Sequence, residues 1–185
     1  MLIAITGATG IQISIKLLEI LKDRGIETEL IISKTAEKVI KLESNRNISE
    51  IRNLASKNYE FDDLTAPPAS GSYKIEYGMI IVPCTMKTLS AIANGYADNL
   101  ITRAADVMIK EQRKLVLIVR ESPLSAIHLE NMLKLARLGV IIAPPIPSYY
   151  IEPKSVQDLI YYTVGRILDQ IGINIDMKRW GSEKI

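Results

Sequence analysis

Five short stretches of this chain combine hydroxyls, cations and turn formers in a way that suits phosphate chemistry. They are Thr6-Gly7-Ala8-Thr9-Gly10, Ser33-Lys34-Thr35, Pro83-Cys84-Thr85-Met86-Lys87-Thr88, Arg120-Glu121-Ser122-Pro123 and Pro144-Pro145-Ile146-Pro147-Ser148-Tyr149-Tyr150. Glycine lets a backbone turn sharply and present N–H groups at a helix N-terminus, where an anion is favoured. The G-x-x-G spacing is not the dinucleotide fingerprint G-x-G-x-x-G, and no acidic residue follows the second apolar run to hold a ribose 2′-hydroxyl. Glycine turns between strand and helix are common without any ligand, so the first loop alone decides nothing. Pro67-Pro68-Ala69-Ser70-Gly71-Ser72, taken alone, reads as a polar surface loop. The single cysteine, Cys84, has no histidine near it in sequence and reads as a buried structural thiol. The single histidine, His128, cannot form a metal site by itself.

These stretches share one position: each follows a short apolar run. Leu2–Ile5, Leu30–Ile32, Met79–Val82, Leu115–Val119 and Val140–Ala143 are β-rich and apolar on both faces, which suits parallel strands covered on both sides. Between them Ile13, Leu17, Leu18 and Leu21 recur at helical spacing, with Gly25 as a stop. Asn47 and Glu50 form a capping-box pattern ahead of Ile51 and Leu54. Further helices are expected over about 86–95, 99–113, 126–138 and 156–171, the last capped by Ser155 and the one before it ended by Gly139. The expected fold is an α/β protein with an open, doubly wound, mostly parallel sheet and helices on both faces. Ligands bind such sheets at the carboxyl ends of the strands, where all five stretches lie.

Composition narrows the class of function. A chain of 185 residues fits a single domain spanning 1–185, and its 48% hydrophobic content is too high for a disordered one. A net charge of +2, with the basic residues scattered, does not suit a nucleic-acid partner. The apolar runs are far shorter than the roughly 20 residues a membrane helix needs, and the N-terminus lacks a basic leader region. A cytoplasmic protein is expected, without membrane or metal.

The strings ITGATG, IISKTA, PPASGSY, VPCTMKTLSAIANGYADNLITRAADVMIKEQRKLVLIVRESPLS, HLENMLKLARLGVIIAPPIPSYY and VGRILDQIG resemble flavin prenyltransferases of the UbiX type, in order, from Met1 to about Trp180. The resemblance implies a flavodoxin-like Rossmann variant that binds reduced FMN as prenyl acceptor and takes dimethylallyl phosphate, or the pyrophosphate, as donor. It implies a homo-oligomer, usually a dodecamer, with active sites shared between subunits. It also implies a prenylated FMN product that serves a UbiD-type decarboxylase. By the same resemblance Gly7, Ala8, Thr9, Ser33, Thr85, Met86, Lys87, Thr88 and Arg120 are FMN-binding positions. Thr9 keeps the hydroxyl of the family's serine there. Tyr150 and Arg166 match the pair that holds the donor phosphate, Ser70, Gly71, Arg103, Lys110 and Glu121 match further active-site residues, and Glu43 and Trp180 match positions near the site.

The chemistry of these residues fits that expectation. Breaking an allylic C–O bond puts negative charge on the departing phosphate. The chain has no D-D-x-x-D motif for a magnesium clamp. Cations must then stabilise the leaving group: Arg103 and Lys110 share a helical face, Arg166 offers a planar fork and Tyr150 a phenol. Charge-assisted hydrogen bonds contribute about 1.5–3 kcal/mol each and strengthen as that charge grows. The resemblance implies attack by flavin N5 on the donor's C1, closure of the allyl C3 onto C6, and a proton moved by Glu121 or Lys110. Three rival readings are a flavin-dependent cysteine decarboxylase, an FMN carrier without chemistry, and an NADP reductase. The first expects a P-A-S-A-N-T motif where this chain has Pro68-Ala69-Ser70-Gly71-Ser72.

Overall fold

The computed structural model describes residues 1–181. Six strands form one sheet: β1 (Leu2–Ile5), β2 (Glu29–Ile32), β3 (Lys57–Tyr59), β4 (Met79–Cys84), β5 (Leu115–Val119) and β6 (Ile141–Ile142). The spatial order is β3-β2-β1-β4-β5-β6, and every pair is parallel. Among the described residues the α-helices are α1 (Ile11–Asp23), α2 (Lys34–Glu43), α3 (Ile48–Arg52), α4 (Met86–Ala93), α5 (Leu100–Lys110), α6 (Ala126–Arg137) and α7 (Val156–Gln170).

Alternation along the strands divides the core in two. Ile3 and Ile5 of β1 and Ile32 of β2 pack with α1, α2 and α7 through Leu17, Leu21, Ile40, Val164 and Leu168. Leu2, Ala4 and Ile31 face the other side and pack with α4, α5 and α6 through Leu89, Leu100, Ala104, Met108 and Leu135. Burying strand residues on both faces is what made these runs continuously apolar in sequence.

The doubly wound parallel sheet matches the sequence expectation, and so do most ends. The Asn47/Glu50 capping box is present, Ser155 accepts from the Asp158 N–H, and Gly25 closes the first helix at φ 66°. Two elements are additions: α2, and β3 at the sheet edge. β3 has too little apolar pattern to be read as a strand, yet its register with β2 pairs Glu29 with Lys57 and Ile31 with Tyr59. The Glu29 carboxylate accepts from the Tyr59 and Tyr73 hydroxyls at 2.9 and 2.7 Å, which ties the segment before β4 to this edge.

The chain reverses its winding between β1 and β4, so the loops leaving these neighbouring strands diverge. A crevice opens at such a switch point, at the carboxyl end of the sheet.

Candidate functional site

That crevice is a cleft of about 370 Å³ lined by Thr6, Gly7, Ser33-Lys34-Thr35, Phe61, Thr85, Lys87, Thr88, Ala91, Asp98, Asn99 and Thr102. Thr6 joins its two central strands: its Oγ1 donates to the Pro83 carbonyl at 2.7 Å and accepts from the Thr85 N–H at 2.9 Å. Gly7 must be glycine, because a Cβ there would lie 2.4 Å from Thr35 Cγ2. The strand exits are thereby held close enough to face one ligand.

Three helices begin at the cleft, each capped by a side chain. Ser33 Oγ accepts from Ala36 N–H at 3.1 Å to start α2, and Thr85 Oγ1 accepts from Thr88 N–H at 3.2 Å to start α4. Asn99 Oδ1 accepts from Thr102 N–H at 3.1 Å to start α5. Each helix start directs partial positive charge and remaining N–H groups toward the cleft, beside the Lys34 and Lys87 side chains. The arrangement suits a phosphate with a polyol tail.

The start of α1 is different. Gly10 N–H and Ile11 N–H donate to the Glu43 carboxylate at 2.9 and 3.2 Å, so the anion at this helix belongs to the chain itself. The first glycine loop therefore shapes the cleft through Gly7 and does not open the α1 terminus to a ligand. Of the positions read as FMN-binding, Gly7, Ser33, Thr85, Lys87 and Thr88 line the cleft. Ala8 N–H turns back to the Thr6 carbonyl at 2.9 Å, Thr9 is exposed, and Met86 packs partly into the core. Arg120 is fixed just after β5 by its N–H to the Cys84 carbonyl at 3.1 Å, and both it and Glu121 are exposed and outside the residues that line the cleft.

Arg103 and Lys110 do share a face of α5, and that face meets the 69–73 loop. Arg103 Nε donates to the Ala69 carbonyl at 3.0 Å and its Nη1 pairs with Asp106 at 2.7 Å. Lys110 Nζ lies 2.6 Å from where a Cβ on Gly71 would be, so the end of the Lys110 side chain lies against the loop. Arg113, which the sequence reading passed over, donates to the Gly71 and Tyr73 carbonyls at 2.6 and 2.7 Å. Ser70 and Gly71 are thus fastened to α5.

Tyr150 and Arg166 belong to a second hollow of about 550 Å³, with Ser148, Tyr162, Met177, Arg179 and Trp180. Tyr150 meets Trp180 and Tyr162 edge to face, with centroids 5.2 and 5.8 Å apart. Asp169 holds two guanidinium groups here: Arg166 at 2.7 Å and Arg179 through two contacts of 2.9 Å. Hydrogen bonding from Arg179, with the charges of both arginines, keeps the Asp169 carboxyl below the usual carboxylate range. Because α7 and α5 cover opposite faces of the sheet, this hollow and the Arg103–Lys110 surface are anchored on different sides of the chain.

Cys84 is fully buried, and burial pushes its thiol up to about 12, so it is no nucleophile at neutral pH. His128 Nδ1 accepts from Ser125 N–H at 3.2 Å as part of the α6 cap. Among the described residues, no group of three or more His, Cys, Asp or Glu could hold a metal ion. The sequence reading missed Phe61, Asp98, Asn99 and Thr102 in the cleft. The Asp-Asn pair ahead of the amphipathic α5 was a legible N-cap signal.

A parallel sheet with three side-chain-capped helix starts around a hydroxyl-lined cleft at its switch point defines a flavodoxin-like α/β protein shaped for a phosphorylated ligand. The family model "Flavoprotein" matches residues 1–168. The flavin prenyltransferase UbiX of Methanocaldococcus jannaschii is 53% identical over 182 residues, covering 98% of each chain. The chain belongs to the flavin prenyltransferase family. The crystal structure of AnUbiX (PadA1) in complex with FMN and dimethylallyl pyrophosphate is 48% identical, covering 99% of this chain and 97% of that one, with a TM-score of 0.96. A dodecameric FMN-dependent UbiX-like decarboxylase from Escherichia coli O157:H7 is 45% identical, covering 94% of this chain and 96% of that one, at a TM-score of 0.90.

Proposed function

We propose that this chain transfers a dimethylallyl unit from dimethylallyl phosphate or pyrophosphate to N5 and C6 of reduced FMN, giving the prenylated flavin used by UbiD-type decarboxylases. The observation that carries this reading is the cleft itself, with Gly7 and three capped helix starts, in a backbone that matches an FMN- and dimethylallyl-pyrophosphate-bound relative along 99% of its length. Ser33, Thr85 and Thr88 with Lys87 hold the FMN phosphate and ribityl hydroxyls, supported by the neighbouring Gly7-Ala8-Thr9 turn and Met86. Arg120, at the rim, reaches the flavin ring. When bound, reduced flavin supplies the nucleophilic N5 and C6 positions.

The chain's other residues act on the donor. Tyr150 and Arg166 bind the phosphate, with Ser70, Gly71 and Lys110 on the opposing wall, and Arg103 positions that wall through the Ala69 carbonyl. As the C–O bond breaks, these cations stabilise the charge on the departing phosphate. Glu121 then carries a proton between flavin and phosphate, with Lys110 beside its path.

Because Tyr150–Arg166 and Arg103–Lys110 are anchored on opposite faces of one chain, the reading requires a homo-oligomer in which neighbouring copies complete each site. The E. coli relative is dodecameric. We read the protein as cytoplasmic, where reduced flavin and an unpaired cysteine are both at home. Among the described residues, no helix is long and apolar enough to cross a membrane.

Anaerobic incubation of the purified protein with reduced FMN and dimethylallyl phosphate, followed by mass analysis of the flavin, tests the function. A flavin heavier by one dimethylallyl unit is expected. Recovery of unmodified FMN with both candidate donors would reject the transferase reading in favour of a carrier.

A further inference from the structure

Tyr162 lies on α7 with only 7% of its surface exposed, and its hydroxyl is in hydrogen-bond contact with that of Tyr150. A buried phenol O–H needs an acceptor, since an unsatisfied polar group costs more than a hydrogen bond contributes. Among the hydrogen bonds of the described residues, Tyr150 is the only partner of the Tyr162 hydroxyl. Each hydroxyl carries one proton and can accept through its lone pairs. If Tyr150 donated to Tyr162, the free proton would lie on the more buried of the two hydroxyl-bearing residues, with no acceptor among the hydrogen bonds of the described residues. If Tyr162 donates to Tyr150, the free proton lies on the less buried residue and turns outward.

Outward is the hollow that also contains Arg166 and Arg179. Its aromatic walls, Tyr150 and Trp180, meet edge to face and restrict how far the Tyr150 ring can swing. A hydroxyl that accepts one hydrogen bond also becomes a stronger donor of its own proton.

We propose that Tyr162 is a positioning residue that fixes the direction of the Tyr150 hydroxyl, so that Tyr150 donates its proton to the phosphate of the prenyl donor. This rests on the reading of Tyr150 as a phosphate-binding residue.

Titration of dimethylallyl phosphate into protein loaded with oxidised FMN measures donor binding without turnover. The set is the parent protein, Tyr150→Phe, Tyr162→Phe and the double variant. Tyr162→Phe keeps the edge-to-face ring and removes only the hydroxyl, so its melting temperature and FMN affinity are expected to stay near the parent's. Its donor affinity is expected to fall about three- to tenfold, the usual range for one oriented hydrogen bond. The double variant should bind no more weakly than Tyr150→Phe, because the second hydroxyl acts only through the first.

A Tyr162→Phe protein that binds donor like the parent while Tyr150→Phe binds weakly overturns the proposal and leaves the Tyr150 reading intact. Additive losses in the double variant also overturn it, as does an equal loss of donor and FMN affinity with a lowered melting temperature. Parent-like binding by Tyr150→Phe removes the underlying reading itself.

Discussion

At the scale of single residues, the site depends on contacts that leave little room for change. A Cβ on Gly7 would press into Thr35, a neighbour in the same cleft wall. Gly7→Ala is therefore expected to push the Thr35 turn outward and weaken FMN binding at least tenfold, as read by flavin fluorescence. Parent-like affinity would mean that the wall yields without affecting the ligand. Glu121 separates binding from chemistry. Glu121→Gln keeps the size and hydrogen bonding of the side chain but cannot move a proton. It is expected to bind FMN and donor near normally and to turn over about 10²–10⁴-fold more slowly. Turnover at the parent rate would reduce the carboxylate to a structural group and make Lys110 the proton carrier.

At the scale of elements, helix ends decide where charge is available. Ser33, Thr85 and Asn99 satisfy only part of each helix start, which leaves N–H groups for a ligand, whereas Glu43 occupies the start of α1. Glu43→Ala strands the Gly10 and Ile11 donors and should lower stability by about 1–3 kcal/mol in urea unfolding. An unchanged midpoint would show that water replaces the carboxylate at no cost. The end of α7 carries a pH dependence that can be tested. The Asp169 carboxyl is held below its usual range by Arg179 and Arg166, so its folded value is depressed relative to the unfolded chain. Its contribution is complete above the unfolded value of about 4 and is lost as pH falls through the lower folded value. Asp169→Asn should therefore flatten the acid limb of the stability profile below about pH 4 and leave its neutral part lower by a constant amount.

At the scale of the whole molecule, α6 is the longest described helix with a single buried side chain. Ile127, Leu129, Leu133 and Leu138 are exposed, and Leu135 is the helix's one fully buried side chain. A helix apolar on this much of its circumference is normally covered. Leu133→Glu is expected to lower the sedimentation mass of the assembly and reduce turnover together, while the melting of the remaining subunits stays cooperative. An assembly of unchanged mass would place the contact elsewhere.

Local pattern determined much of this protein. Continuous apolar runs reported strands buried on both faces, and Asn47, Ser155, Gly25 and Gly139 marked helix ends because caps act through hydrogen bonds three or four residues long. The five polar stretches could be assigned to one rim because parallel strands must all end on the same side. What those patterns omit is anything set by which elements become neighbours. β3 carries no alternation because it is an exposed edge, held by its pairing with β2 and by the Tyr59 bond to Glu29. Glu43 reaches the α1 terminus across 33 residues of sequence, a contact made only when α2 returns beside α1. Tertiary structure likewise put Asn99 and Thr102 into the cleft and Arg113 onto the 71–73 backbone. Above all, it separated Tyr150 and Arg166 from Arg103 and Lys110. Helix α7 follows the last strand and returns to pack beside α1, on the face opposite α5, and no local periodicity records that return.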